Sequence, residues 1–140
     1  MDSIIFKYDV DGDDFISAGE ASTDMKQKLR KMGVNADYIR RCAICMYEGE
    51  INMVIHADGG VAEVHVGEKN VKIILKDSGP GIADIEKAMS VGFSTATNSI
   101  RELGFGAGMG LPNMKKNSDE ISVESTLGVG TTVTMVINLV

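Results

Sequence analysis

The stretch from Glu48 to His56 reads EGEINMVIH, and its polar residues recur at a helical interval. Glu48, Asn52 and His56 are spaced i, i+4, i+8, so at about 100° per residue they drift by only about 80° and form one stripe. Glu50 points roughly the opposite way. The surrounding segment predicts a helix from about Asn35, a good N-cap, to about Ala57, stopped by Gly59–Gly60. A helix apolar on most sides belongs in a core, packed on a sheet. Its polar stripe has two readings. It is a solvent face, or it is a site for a magnesium nucleotide, in which asparagine offers Mg²⁺ a neutral oxygen and a glutamate accepts a proton from an attacking hydroxyl.

Working outward, Ser3–Tyr8 (SIIFKY) reads as a strand, and a helix follows whose start is signalled by Ser17–Ala18–Gly19–Glu20, a capping box, and whose end is signalled by Gly33. Val61–Val66 alternates, with Val64 and Val66 on one face and Glu63 and His65 on the other. Val71–Lys76 pairs with it through the hairpin loop 67–70. His65 is therefore expected as an exposed strand residue. Residues 84–90 can make a short helix, and another is expected from Leu111 or Pro112 to Lys116. Strands at Ile121–Ser125 and Thr131–Leu139 close the segment. The order predicts an α/β two-layer sandwich, a mixed and mostly antiparallel sheet with helices on one face.

A chain of 140 residues with 44% hydrophobic residues predicts a single domain, 1–140, with its own core. A net charge of −6 argues against nucleic acid as a partner, because phosphate binding rests on Lys and Arg. No apolar run has the length of a membrane span, and Asp2 stands where a signal peptide needs basic residues, so a cytoplasmic protein without a membrane partner is expected. The only cysteines, Cys42 and Cys45, lie inside the long helix and read as buried structural thiols rather than a zinc or redox pair.

Asp9 to Glu20, DVDGDDFISAGE, resembles a calcium loop, with Asp9, Asp11, Asp13, Phe15, Ser17 and Glu20 at the ligand positions. A strand precedes it where a helix is required, and position 6 is Asp14 rather than glycine. Ser17 and Glu20 are better used as the helix cap, and the aspartates as a solvated turn.

Two further stretches carry chemistry. Asp77–Ser78–Gly79–Pro80–Gly81 follows a strand; it is a plain turn, or a base-recognition loop in which the carboxylate accepts from an exocyclic amine while glycines let the backbone approach a flat ring. Gly104–Phe105–Gly106–Ala107–Gly108–Met109–Gly110 opens a helix and so presents free N–H groups to phosphates, without the lysine of a P-loop.

In order, Glu48xxxAsn52, Asp77xGly79xGly81, GFGAGMG and Gly128–Val129–Gly130–Thr131 resemble the N, G1 and G2 boxes and terminal GxGT of the Bergerat-fold (GHKL) ATPase superfamily. That superfamily joins DNA gyrase, heat-shock chaperones, histidine kinases and mismatch-repair proteins. The small size and the ending VESTLGVGTTVTMVI look most like the compact anti-sigma factors and switch-type serine kinases of bacterial partner-switching systems. The resemblance implies that ATP and Mg²⁺ are bound and that the γ-phosphate passes to a serine of a small antagonist protein. Glu48 would be the catalytic base, Asn52 the Mg²⁺ ligand and His56 a neighbour of the phosphates. Asp77 would bind the adenine amine with Gly79 and Gly81 beside the ring, and Gly104, Gly106, Gly108 and Gly110 would line the phosphates. Thr131 is preferred to Thr132 for the adenine end, because alternation puts it on the face of Val133, Met135 and Ile137. Arg101, Lys115 and Lys116 are all open as the basic contact to the γ-phosphate. The implied partners are a small antagonist protein or a sigma factor-like target, and a homodimer is allowed. The competing expectation is a nucleotide-responsive binding protein that sequesters or activates a partner with little phosphotransfer.

Overall fold

The computed structural model describes residues 4–11, 19–57, 59–79 and 110–139. Strand β1 (Ile4–Asp11) is followed by helices α1 (Glu20–Lys31) and α2 (Ala36–Ala57), the hairpin β2 (Gly59–Val66) and β3 (Asn70–Lys76), helix α3 (Gly110–Asn117), and the hairpin β4 (Glu120–Thr126) and β5 (Gly130–Asn138). The five strands form one sheet in the order β1-β2-β3-β5-β4, and all four pairings are antiparallel. The expected α/β sandwich is thus observed.

Alternation decides which face of the sheet the helices cover. Ala62, Val64 and Val66 of β2, Val71, Ile73 and Leu75 of β3, and Val133, Met135 and Ile137 of β5 are all buried on one face. Against them stand Met25 and Leu29 of α1, Met46 and Met53 of α2, and Met114 of α3. Each such side chain removed from water contributes about 1.5–3 kcal/mol before the entropy of ordering it is counted. Methionine suits this interior because an unbranched thioether fills irregular gaps between a flat sheet and round helices. Helix α2 is central: it packs against α1 on one side and α3 on the other, and lies across the sheet.

That approach is close at one point. A Cβ on Gly49 would overlap the Leu75 side chain, so only glycine lets α2 sit this near β3.

The helix ends follow local chemistry in two cases and not in a third. Asn35 caps α2, its Oδ1 accepting the Asp37 N–H at 2.9 Å. Helix α1 closes on Gly33 (φ 81°) with Val34 N–H to Leu29 O and Gly33 N–H to Arg30 O, both 3.1 Å, the bond pair of a Schellman motif. Among the described residues the start of α1 is closed by other groups than the expected capping box. Helix α1 begins later, with Gly19 at the N-cap and no capping bond from a side chain of its own. The Glu50 carboxylate on α2 takes that place, accepting the N–H groups of Gly19 (2.9 Å), Ala21 (3.3 Å) and Ser22 (2.7 Å). Ser17 lies outside the described residues.

The start of the chain also differs from the expected solvated turn. Asp9 and Asp11 are the last part of β1, opposite Val61 and Gly59, because β2 begins at Gly59 and its ladder carries the aspartates into the sheet. Asp13 and the expected helix at 84–90 lie outside the described residues.

Candidate functional site

Two clusters form where the sequence set its candidates. The first is at the end of β3. Asp77 follows the last ladder residue, and its N–H donates to Thr131 O at 3.0 Å, extending the pairing with β5 by one step. Its carboxylate turns back: Oδ1 accepts from Gly79 N–H at 2.9 Å and from Thr131 N–H at 3.2 Å. The first of these bonds is an Asx turn, which shapes the loop at Ser78–Gly79. Among the described residues the carboxylate is held through Oδ1, and Oδ2 accepts nothing. Thr131 is 8% exposed on the core face, beside Ser125, whose hydroxyl lies 2.9 Å from Thr131 Oγ1. Gly130 closes the same corner, since a Cβ there would strike the Asp77 carbonyl.

The second cluster is on α2. Glu48 and Asn52 are both half-buried, one turn apart. Burial raises the Glu48 carboxyl above its ordinary value, partly opposed by a hydrogen bond from Asn113 of α3, whose Nδ2 lies 3.2 Å from Glu48 Oε1. Asn52 makes no hydrogen bond to the described residues. Asn113 was not among the residues the sequence pointed to; the signal available was an asparagine within the short helix expected from Leu111 or Pro112 to Lys116.

The two clusters meet through packing. Gly49 rests on Leu75, two residues before Asp77, and a Cβ at Gly60 would come within 2.9 Å of Met53 Sδ and 3.1 Å of Asp77 Cα. The α2 segment from Glu48 to Met53 therefore passes over the end of β3 that carries Asp77. Of the other candidates, Gly110 is the first residue of α3, and Lys115 and Lys116 are exposed in its last turn. His56 lies near the end of α2 with its side chain outside the described residues, as are Gly81, Gly104, Gly106, Gly108 and Arg101. His65 is half-exposed on the outer face, with Nε2 3.2 Å from Glu63 Oε1 and away from this site.

Comparison with known proteins decides the family. The family described as histidine kinase-, DNA gyrase B- and HSP90-like ATPase matches residues 39–140, from within α2 through β5. The chain belongs to this ATPase family. Membership implies ATP binding, and the matched span contains every residue of both clusters. A serine/threonine-protein kinase RsbT of Bacillus subtilis is 48% identical over 65 residues, 46% of this chain and 43% of that protein. An anti-sigma F factor of a Thermoanaerobacter species is 35% identical over 100 residues, 71% of this chain and 62% of that one. These matches span less than two thirds of either relative. A crystal structure of the RsbU and RsbW domains of a Mycobacterium tuberculosis protein shares the ATPase-domain fold, with a TM-score of 0.65 and 17% identity over 97% of this chain and 32% of that one. Among the described residues no helix is long and apolar enough to cross a membrane.

Proposed function

We propose that the chain is a Mg·ATP-dependent serine-protein kinase that also acts by binding its protein target, in the manner of a partner-switching regulator. The observation that carries this reading is Glu48: a half-buried carboxylate whose proton affinity is raised by burial, held through one oxygen by a neutral amide and with its other oxygen accepting nothing from the described residues. A general base works best with a pKa brought towards the operating pH, and burial does that here. The kinase and anti-sigma factor names of the relatives support the same class of activity and a protein partner, either an antagonist or a sigma factor-like target.

The donor set fits a magnesium nucleotide. Asp77 has a carboxylate oxygen that accepts nothing from the described residues and could take an exocyclic amine, and Thr131 with Ser125 gives that end a polar floor. Among the described residues no three His, Cys, Asp or Glu side chains converge as a metal cage, so magnesium held near Asn52 would draw its remaining ligands from phosphates and water. Bound ATP and its metal would supply the phosphoryl group and neutralise its charge. Glu48 removes the proton of the target serine while the serine oxygen bonds to the γ-phosphorus. The bond from that phosphorus to the β,γ-bridging oxygen breaks, and ADP leaves with the electron pair.

The test is to incubate the chain with γ-labelled ATP, Mg²⁺ and lysate of its host, beside Glu48→Ala. A labelled protein that disappears in the variant supports the kinase. Tight ATP binding with no labelled protein would instead establish a nucleotide-responsive binding protein.

A further inference from the structure

We propose that Asn113 is the positioning residue for Glu48: its amide holds Oε1 from the facing helix, and so aims the other oxygen of the base. The inference rests on the phosphotransfer reading and adds to it a residue outside the four sequence boxes. Its geometry is specific. Asn113 Nδ2 lies 3.2 Å from Glu48 Oε1, and only the NH₂ end of an amide can donate to an ionised carboxylate.

The helix that carries Asn113 is itself fixed. Met114, the next residue, is fully buried, and its carbonyl receives the Cys45 thiol of α2 at 3.7 Å. At the far end Arg41 of α2 donates its Nε–H to Asn117 O at 3.0 Å and pairs with Asp119 at 3.2 Å. A side chain at Asn113 therefore projects from a support bound to α2 at its middle and at its C-terminal end, which serves to hold a base in place. Helix α3 also starts at Gly110, three residues before Asn113. One element thus carries both the helix N-terminus expected at the phosphates and the group that aims the base.

The choice of a neutral amide matters. An arginine or lysine in this place would orient the carboxylate equally well but would lower its pKa by about 1–3 units and make it a poor base. Asparagine orients it and leaves the effect of burial largely intact. Of the ionisable groups on α2, Cys45 lies near enough for the Glu48 charge to help raise its thiol. The influences that move the Glu48 carboxyl are burial and the Asn113 amide.

The experiment is a titration of the Glu48 carboxyl by ¹³C NMR in the full, nucleotide-free chain, its signal assigned by loss in Glu48→Gln. Asn113→Leu is expected to raise the Glu48 midpoint by about half a unit to one unit, as loss of a bond to the charged form does. Packing damage would wet Glu48 and lower its midpoint, so an unchanged or lowered midpoint overturns the proposal. Asn113→Ser, too short to reach, gives the same decision if the leucine variant does not fold. In the kinase assay Asn113→Leu should lower kcat about tenfold with KM for ATP within about twofold, and Asn113→Lys should retain ATP binding but lose turnover. A leucine variant with normal kcat also overturns it. If the wild type transfers no phosphate, the kinase reading fails alone, and the NMR midpoint still decides whether Asn113 holds Glu48.

Discussion

Glu48 and Glu50 stand on either side of Gly49 on α2, and they serve opposite flanks of that helix. Glu50, 2% exposed, faces α1, where both of its oxygens are taken up by backbone N–H groups of Gly19, Ala21 and Ser22. Glu48, half-buried, faces α3 and receives one amide on one oxygen. Burial holds both carboxyls above their ordinary values. Burial alone therefore does not mark a reactive carboxylate. What separates the two is acceptor use among the described residues: Glu50 is consumed in closing a helix end, and Glu48 has one oxygen that accepts nothing there, as the proposed base requires.

The comparison breaks most readily in kinetics. Glu48→Gln is expected to reduce phosphotransfer by about 10²–10⁴-fold, the range of a lost general base, with ATP affinity by calorimetry nearly unchanged. Glu50→Gln, measured in the same assay, should keep most of its activity. Stability reverses the pair. Glu50→Ala leaves the N–H groups of the first turn of α1 without acceptors in a buried place, and urea unfolding should show a loss of about 2–4 kcal/mol. Glu48→Ala should cost less than half of that. Asp77→Asn tests whether nucleotide affinity belongs to a third, separate carboxylate: it should weaken ATP binding by about 1.5–3 kcal/mol with little change in unfolding, since an asparagine Oδ1 can still accept from Gly79 and Thr131.

The smallest effect is on pH. A carboxyl whose folded pKa lies above its unfolded one binds a proton more readily in the fold, so its contribution is fully present below the ordinary carboxyl value and is lost as pH rises through the raised one. The contribution of these two carboxyls to unfolding free energy should therefore fall as pH rises from about 4 towards neutrality, opposite in sign to that of Asp24 and Asp119, whose carboxyls are held below their ordinary values. Glu50→Gln should remove one part of that slope and Glu48→Gln another; a slope unaltered in both would refute the assignment of raised values.

What was legible in the sequence follows the same division. Strands β2, β3 and β5 were legible because one buried face enforces strict alternation, and the same alternation set Thr131 on the core side, where it meets Asp77. Asn35 and Gly33 were legible because their chemistry is local. The start of α1 was not, because its cap comes from Glu50, 31 residues away from Gly19, and no local motif encodes a partner on another helix. Asp9 and Asp11 were misread since aspartate is a poor strand former, and a ladder with β2 outweighs that preference. Asn113 escaped notice for the reason Glu50 did: its significance lies in a contact 65 residues away in the chain.

The corner at Asp77 and Thr131 has a further consequence for how the chain comes to work at all. Its two halves are 54 residues apart, on neighbouring strands that pair antiparallel. A chain emerging from the ribosome completes Asp77 and its loop well before β5 exists to receive them. Non-local strand pairing of this kind is slow, because the intervening loop must be closed before any contact rewards it. The Asp77–Thr131 corner is thus absent until β5 is made, and a ligand that needs both halves can select for the finished fold but cannot template the first half of it.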